Sequence, residues 1–167
     1  MDFKISDTSH SDLPYIREFF TDTTTAWFGP NLNLPELIEK SFICLSQRGE
    51  GDEPLSVICL DDYPPVPSIL RDFWLEWMRE VYQCSQLRYK NSVFIHLLAW
   101  SSSCASTFLE HLLSFIYQHY HAIDHIILVI PQDAEVNSFV LNYFLPMQKT
   151  SSFKNTRFSL PLFVNSR

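Results

Sequence analysis

The stretch "HLLAWSSSCASTFLEHLLSF" (96–115) sets Ser101, Ser102, Ser103, Cys104, Ala105, Ser106 and Thr107 between an apolar run and an apolar helix. Strand–turn–helix junctions of this kind bind phosphate, because backbone N–H groups and the helix dipole converge at the turn. Such loops use glycine so that the backbone can approach the ligand closely. This chain has 3 glycines and none follows Gly51. No Lys or Arg lies between Lys90 and Lys149 to offset phosphate charge. The serine hydroxyls could hold an anion only weakly. Nor do Ser101–Ser103, Cys104 and His111 form a nucleophile elbow, which needs flanking glycines to relieve a strained turn.

Other reactive side chains have plainer readings. His111, His119, His121 and His125 are numerous, but His119 and His121 stand two apart and would not face one ligand on a regular helix. They read as surface or capping residues rather than metal ligands. His96 alternates with Phe94 and Leu98 in an apolar run and reads as a hydrogen-bonded core histidine. Asp61 and Asp62 are adjacent at a strand end, so their carboxylates point to opposite faces. Cys44, Cys59, Cys84 and Cys104 show no C-x-x-C spacing and read as buried free thiols of an intracellular protein. No residue is assigned a catalytic, cofactor-binding or metal-ligating role.

A chain of 167 residues, 46% hydrophobic and 15% aromatic with 14 phenylalanines, folds as one domain over 1–167 with a large core. A formal charge of −7 with scattered Lys and Arg argues against nucleic-acid binding. No run approaches the roughly 20 apolar residues of a membrane helix, so no membrane association is expected.

The elements that position these residues follow from periodicity and breakers. A short strand is expected around Phe3–Ile5, then a helix capped by Ser11 with Pro14 in its first turn. A second helix spans Leu34–Ser41, and strands over Phe42–Ser46 and Leu55–Leu60 flank a glycine-containing hairpin turn. Pro64, Pro65 and Pro67 end regular structure. A long helix from Ser68 to about Gln86 carries Phe73, Trp74, Trp77 and Val81. Its Trp74, Trp77 and Tyr82 are candidates for a partner surface, with core packing the simpler reading. The same two readings apply to Trp27-Phe28-Gly29-Pro30. A strand over Val93–Trp100, a helix from Thr107 to about Tyr120 and a strand over Ile126–Ile130 follow. A last helix runs from Asp133 or Ala134 to Phe144, then a strand over Phe158–Val164.

This order, β-α-α-β-β-α-β-α-β-α-β, gives an α/β mixed sheet with helices on both faces. It is similar to the GNAT acyltransferase fold, and "DLPYIREFF" (12–20) resembles the opening helix of that superfamily. The resemblance implies an acyl-CoA loop at residues 96–115, patterned Arg or Gln, two residues, Gly, one residue, Gly or Ala. Here Cys104 takes the basic position, with Thr107 and Leu109 at the glycines. The superfamily also places Asn in its last helix and a general-acid Tyr seven residues later. Asn137 matches, but Phe144 stands at the Tyr position and Tyr143 is one residue early, about 100° around a helix. Both landmarks of catalysis fail, and no activity is expected. An active acyltransferase with a divergent loop is the alternative; Phe108 or Leu109 filling the cofactor cleft would sink it.

Four segments carry a closer resemblance: "WFGPNLNLPELIEKSFICL" (27–45), "SVICLDDYP" (56–64), "VFIHLLAW" (93–100) and "IDHIILVIP" (123–131). Their order and spacing resemble the N-terminal domain of the cilia- and flagella-associated protein 61 family over roughly residues 15–165. That resemblance implies a ciliary or flagellar axoneme protein and a non-catalytic, acetyltransferase-like interaction domain. It implies a place near the radial spoke base, with axonemal proteins of the calmodulin- and spoke-associated complex as partners. The family is usually far longer, so this chain would correspond to its first module.

Overall fold

The computed structural model describes residues 4–150 and 160–167. Seven strands form one sheet: β1 (Lys4–Asp7), β2 (Ile43–Arg48), β3 (Ser56–Asp61), β4 (Ser92–Trp100), β5 (His125–Val129), β6 (Leu145–Pro146) and β7 (Leu162–Ser166). Their spatial order is β1-β2-β3-β4-β5-β7-β6. Only β4 and β5 run parallel, and the remaining neighbours are antiparallel. The helices are α1 (Leu13–Glu18), α2 (Asp22–Phe28), α3 (Leu34–Lys40), α4 (Trp74–Val81), α5 (Phe108–His119) and α6 (Ser138–Leu141). This is the mixed α/β sheet that the element order implies.

Local chemistry sets most boundaries. The first helix opens on a 3-10 turn over His10–Asp12, capped by Ser9 rather than Ser11: the Ser9 N–H donates to the Asp12 carboxylate. Pro14 then occupies the first turn of α1. The Asn33 side chain accepts the Glu36 N–H at the start of α3, where Pro35 fits for the same reason.

Four expectations are corrected. Helix α2 leaves no mark in the periodicity because Asp22-Thr23-Thr24-Thr25 are weak helix formers. It is nevertheless opened by Thr21, whose N–H donates to the Thr24 hydroxyl, and closed by Gly29 at φ 90°, a conformation open to glycine. The helix expected over 68–86 is short: a 3-10 turn at Arg71–Phe73 leads into α4, which ends at Val81. There the backbone turns extended, and Gln83 N–H bonds to Gln148 carbonyl while Thr150 N–H bonds to Val81 carbonyl. A distant segment thus replaces the next helical turn. The helix expected to end at Phe144 is only α6, because Leu145–Pro146 pair with β7 as a sheet edge. The terminal strand runs later than expected, to Ser166, with Pro161 before it; Phe158 and Ser159, like Phe3, lie outside the described residues.

Helices cover both faces. On one face Leu109, Leu112, Leu113 and Ile116 of α5 pack on Ile43, Leu45, Ile58, Ile95, Ile126 and Leu128. The opposite face is shared. Ile16, Phe19 and Leu34 from α1 to α3 cover Cys44, Val57, Cys59, Leu97 and Ala99. Trp74, Leu75, Met78 and Val81 of α4 cover Phe94, Ile127, Val129 and Leu162. The candidate partner surface on α4 is therefore largely core: Trp74 and Tyr82 are buried. The Trp74 indole N–H donates to the Asp62 carbonyl.

Candidate functional site

The site is built where β4 leaves β5. The two strands pair only through Ser92–Phe94 and His125–Ile127. Just beyond, Cys59 faces Leu97 while the next residue, Leu60, faces Ile95, so His96 is an extra residue without an opposite. This β-bulge turns the strand's alternation over. Phe94 packs on the α4 side but Leu98 on the α5 side, so His96 does not alternate evenly between them as the sequence suggests. After the bulge β4 diverges from β5, opening a wedge between parallel strand ends. Ligand crevices form at such places in open α/β sheets.

The serine-rich loop follows β4, and four of the N–H groups from Ser101 to Phe108 are bonded within the fold. Ser101 N–H bonds to the Leu55 carbonyl, Cys104 N–H to the Ser101 carbonyl, and Phe108 N–H to the Ala105 carbonyl. Ser103 N–H bonds to the Ser101 hydroxyl at 3.2 Å. Thr107 provides no side-chain cap to α5. Burial pushes the Cys104 thiol up to about 11, which keeps it a neutral thiol and a poor nucleophile.

Rings from three elements pack together where β4 leads into α5. Trp100 at the end of β4 lies 5.3 Å from Phe108 of α5 and 5.7 Å from Phe139 of α6, centroid to centroid. Phe108 and Phe139 stack at 5.6 Å with planes 18° apart. Phe108 is 1% exposed and Leu109 0%. The Trp27 indole N–H adds a tie from α2 to the Glu135 carbonyl at 2.9 Å. Trp27 is thus core and clasp together, a role that its position beside Gly29-Pro30 does not reveal. Leu97, Phe108 and Leu112 are buried, as their apolar setting implies.

On the other side of His96 the molecule is open. Two adjoining clefts of about 420 Å³ and 270 Å³ share Phe28, Leu32 and Leu37. The larger has a polar rim of Glu36, Lys40, Asp61 and Arg71; the smaller is walled by Trp27, Pro65, Val66, Pro67 and Val129, with His96 among them. His96 Nε2 bonds to the Tyr63 carbonyl at 2.8 Å, which assigns the proton to Nε2 and leaves Nδ1 as the lone-pair nitrogen. Burial holds this imidazole below its ordinary range, so it is neutral at pH 7. Burial also raises the Asp61 carboxyl, whose ionised form is helped by the Asp62 N–H. Arg71 stands 4.5 Å above the Tyr63 ring and 2.9 Å from the Asp62 carboxylate. The cleft can therefore offer a neutral base beside a partly desolvated carboxylate. The two carboxylates are not the opposed, solvated pair that adjacent strand-end residues suggest: Asp61 is buried, Asp62 is exposed, and both approach Arg71, at 3.8 Å and 2.9 Å.

The remaining candidates are scattered. Asn137 caps α6 by accepting the Phe139 N–H. Tyr143 lies beyond α6, its ring edge-on to Phe139 at 5.6 Å and its carbonyl accepting from the Asn165 side chain. Phe144 is fully buried. His119 Nδ1 bonds to the Phe115 carbonyl one turn back, and His125 Nδ1 to the Ser166 hydroxyl at the strand edge. Among the described residues no three His, Cys, Asp or Glu side chains gather as a metal site. All four cysteines are free, three buried and Cys104 half-buried. No helix among the described residues is long and apolar enough to cross a membrane.

This geometry has counterparts among solved structures. An acetyltransferase from Thermus thermophilus aligns over 100% of this chain and 98% of its own, with TM-score 0.57 and 11% identity. A GNAT-family acetyltransferase from Listeria monocytogenes aligns over 99% and 95%, with TM-score 0.56 and 13% identity. N-acetylglutamate synthase from Neisseria gonorrhoeae, solved with coenzyme A and N-acetyl-glutamate, aligns over 99% of this chain and 35% of its own, with TM-score 0.52 and 14% identity. These likenesses establish a GNAT-like fold. No curated protein matches the sequence. The family model described as cilia- and flagella-associated protein 61, N-terminal domain, matches residues 4–162. The chain belongs to that family, which associates it with the cilium or flagellum.

Proposed function

We propose that this chain is a non-catalytic, acetyltransferase-like interaction module of the ciliary or flagellar axoneme. It acts at the radial spoke base, among proteins of the calmodulin- and spoke-associated complex, and supports motility. The observation that carries the loss of catalysis is the aromatic cluster of Trp100, Phe108 and Phe139, packed where β4 leads into α5. A cofactor arm laid along the end of β4 and the start of α5 would meet rings that are packed on one another. The loop supports the same reading, since the Ser101, Ser103, Cys104 and Phe108 N–H groups are bonded internally and no Lys or Arg between Lys90 and Lys149 answers a pyrophosphate. Family membership supports the ciliary setting.

A second reading keeps acyl transfer alive and rests on one observation: the neutral His96 beside an open cleft with Asp61 on its rim. Titration calorimetry with acetyl-CoA separates the two. The interaction reading expects no binding heat through the micromolar range; micromolar affinity would overturn it in favour of the enzyme. For the setting, the expected outcome is that a tagged copy in ciliated cells stays with detergent-extracted axonemes and cross-links to radial spoke components. Its absence from axonemes would end the ciliary part.

A further inference from the structure

We propose that Cys44 and Cys59 form an oxidation-sensitive dithiol that closes to an intrachain disulfide on exposure to hydrogen peroxide, locking β2 to β3. Cys44 and Cys59 are directly opposite in the β2–β3 register. The Cys44 carbonyl accepts from Thr8 and so points to β1, which makes Cys44–Cys59 a non-hydrogen-bonded pair. In such pairs the α-carbons approach to about 4.5 Å and the side chains converge. That separation lies at the near end of the range disulfides use. The two sulfurs are already 2.9 Å apart, so closing to the covalent length of about 2.05 Å needs a shift of side chains rather than of strands.

The pair is also divided chemically. Cys44 is 8% exposed and Cys59 0%. Hydrogen bonds from the Cys59 thiol and the Thr8 hydroxyl hold the Cys44 thiol below its ordinary value. Cys59 is pushed well above it by its bond to Cys44 and by burial. Cys44 is thus the attacking sulfur and Cys59 the resolving one. The Cys44 thiolate attacks one peroxide oxygen, the O–O bond breaks, and a sulfenic acid and water result. The Cys59 sulfur then attacks the Cys44 sulfur, the S–O bond breaks, and the hydroxyl leaves as water with the Cys59 proton. Two thiols lose two protons and two electrons, and peroxide becomes two waters. Cys84 and Cys104 have thiols raised by burial. Reactivity is therefore expected at the more buried pair rather than at half-buried Cys104.

The test is peroxide treatment of the intact chain, alkylation in denaturant and non-reducing peptide mass spectrometry. The expected result is loss of two hydrogens from the intact mass, with the Cys44 and Cys59 peptides joined and Cys84 and Cys104 alkylated. Dithiothreitol should restore the original mass. A Cys59→Ser variant should stop at the sulfenic acid and trap a dimedone adduct on Cys44. The proposal is overturned if all four cysteines remain alkylatable, if Cys104 oxidises first, or if Cys44 proceeds to sulfinic acid with Cys59 present.

Discussion

Trp100 and His96 lie four positions apart on β4, yet the spaces beside them are used in opposite ways. Beside Trp100, rings from β4, α5 and α6 pack on one another. Beside His96, the gap continues into two connected clefts with charged groups on their rim. Both openings come from one cause, the bulge that sends β4 away from β5. A bulge creates space whatever is later done with it. On one side rings pack as core, which stabilises the domain. On the other there remains a surface with chemistry on it.

The comparison is broken most directly at Phe108. If the rings are packed core, Phe108→Ala removes a fully buried side chain from contact with Trp100 and Phe139. The expected loss is about 3–5 kcal/mol in urea denaturation. A loss under about 1 kcal/mol would mean that the wedge empties at little cost and is a cleft after all. A cycle with Phe139→Ala sharpens the point, since stacked rings couple by about 0.5–1.5 kcal/mol beyond area burial.

The open half depends on its roof, the α1–α3 layer, and Arg48 fastens the start of that layer. Its guanidinium donates to both Asp12 carboxylate oxygens at 2.9 Å, and the two side chains are 7% and 8% exposed. Arg48→Ala strands Asp12 in the interior, with an expected loss of about 3 kcal/mol. That is the low end for a broken buried pair, because Asp12 keeps the Ser9 N–H and can take up a proton. The bond to Arg48 holds the Asp12 carboxyl below its ordinary value. The unfolded chain therefore binds this proton first as pH falls. The stabilisation is complete above about pH 4 and lost as pH drops toward the native pKa. Stability measured down to pH 2 should fall less steeply in Arg48→Ala than in the parent; equal slopes would count against the pair.

How much of the two halves is legible in the sequence differs for physical reasons. The departure of Ser101–Thr107 from a phosphate-loop composition is legible, because neither glycine nor a cationic side chain is present there. The strands are legible too, since Val93–Trp100, broken only by His96, and Ile126–Ile130 are apolar runs of strand length. The bulge is not. With apolar residues pointing to both faces, one histidine in the run does not show that it is an extra residue, and only the pairing of Cys59 and Leu60 reveals it. Phe139 joins Trp100 and Phe108 by tertiary contact alone. The shortened α4 shows the same limit, since Gln148 and Thr150 supply the hydrogen bonds that end it from far along the chain. Long-range pairing overrides local periodicity wherever a backbone partner is available.

The smallest expected effect lies at His96 itself. Burial keeps its imidazole neutral in the fold, whereas in the unfolded chain it titrates near pH 6.5. As pH falls below that value the unfolded state takes the proton first, so stability declines until the lower native pKa is reached. The groups facing the ring are Asp61, Asp62, Arg71 and Tyr63. Asp61 acts with the opposite sign. Its raised carboxyl binds a proton in the fold before it does so in the unfolded chain, which adds stability at acid pH. His125 is also shifted down by burial and remains in any His96 variant. The measured quantity is therefore a difference in slope between parent and His96→Gln, read between about pH 6.5 and 5. The variant should lose part of the decline and keep the part due to His125. An unchanged slope would mean that His96 meets water through the cleft as freely folded as unfolded. The open half would then be a hydrated surface rather than a walled site, and the contrast with the ring-filled half would rest on packing alone.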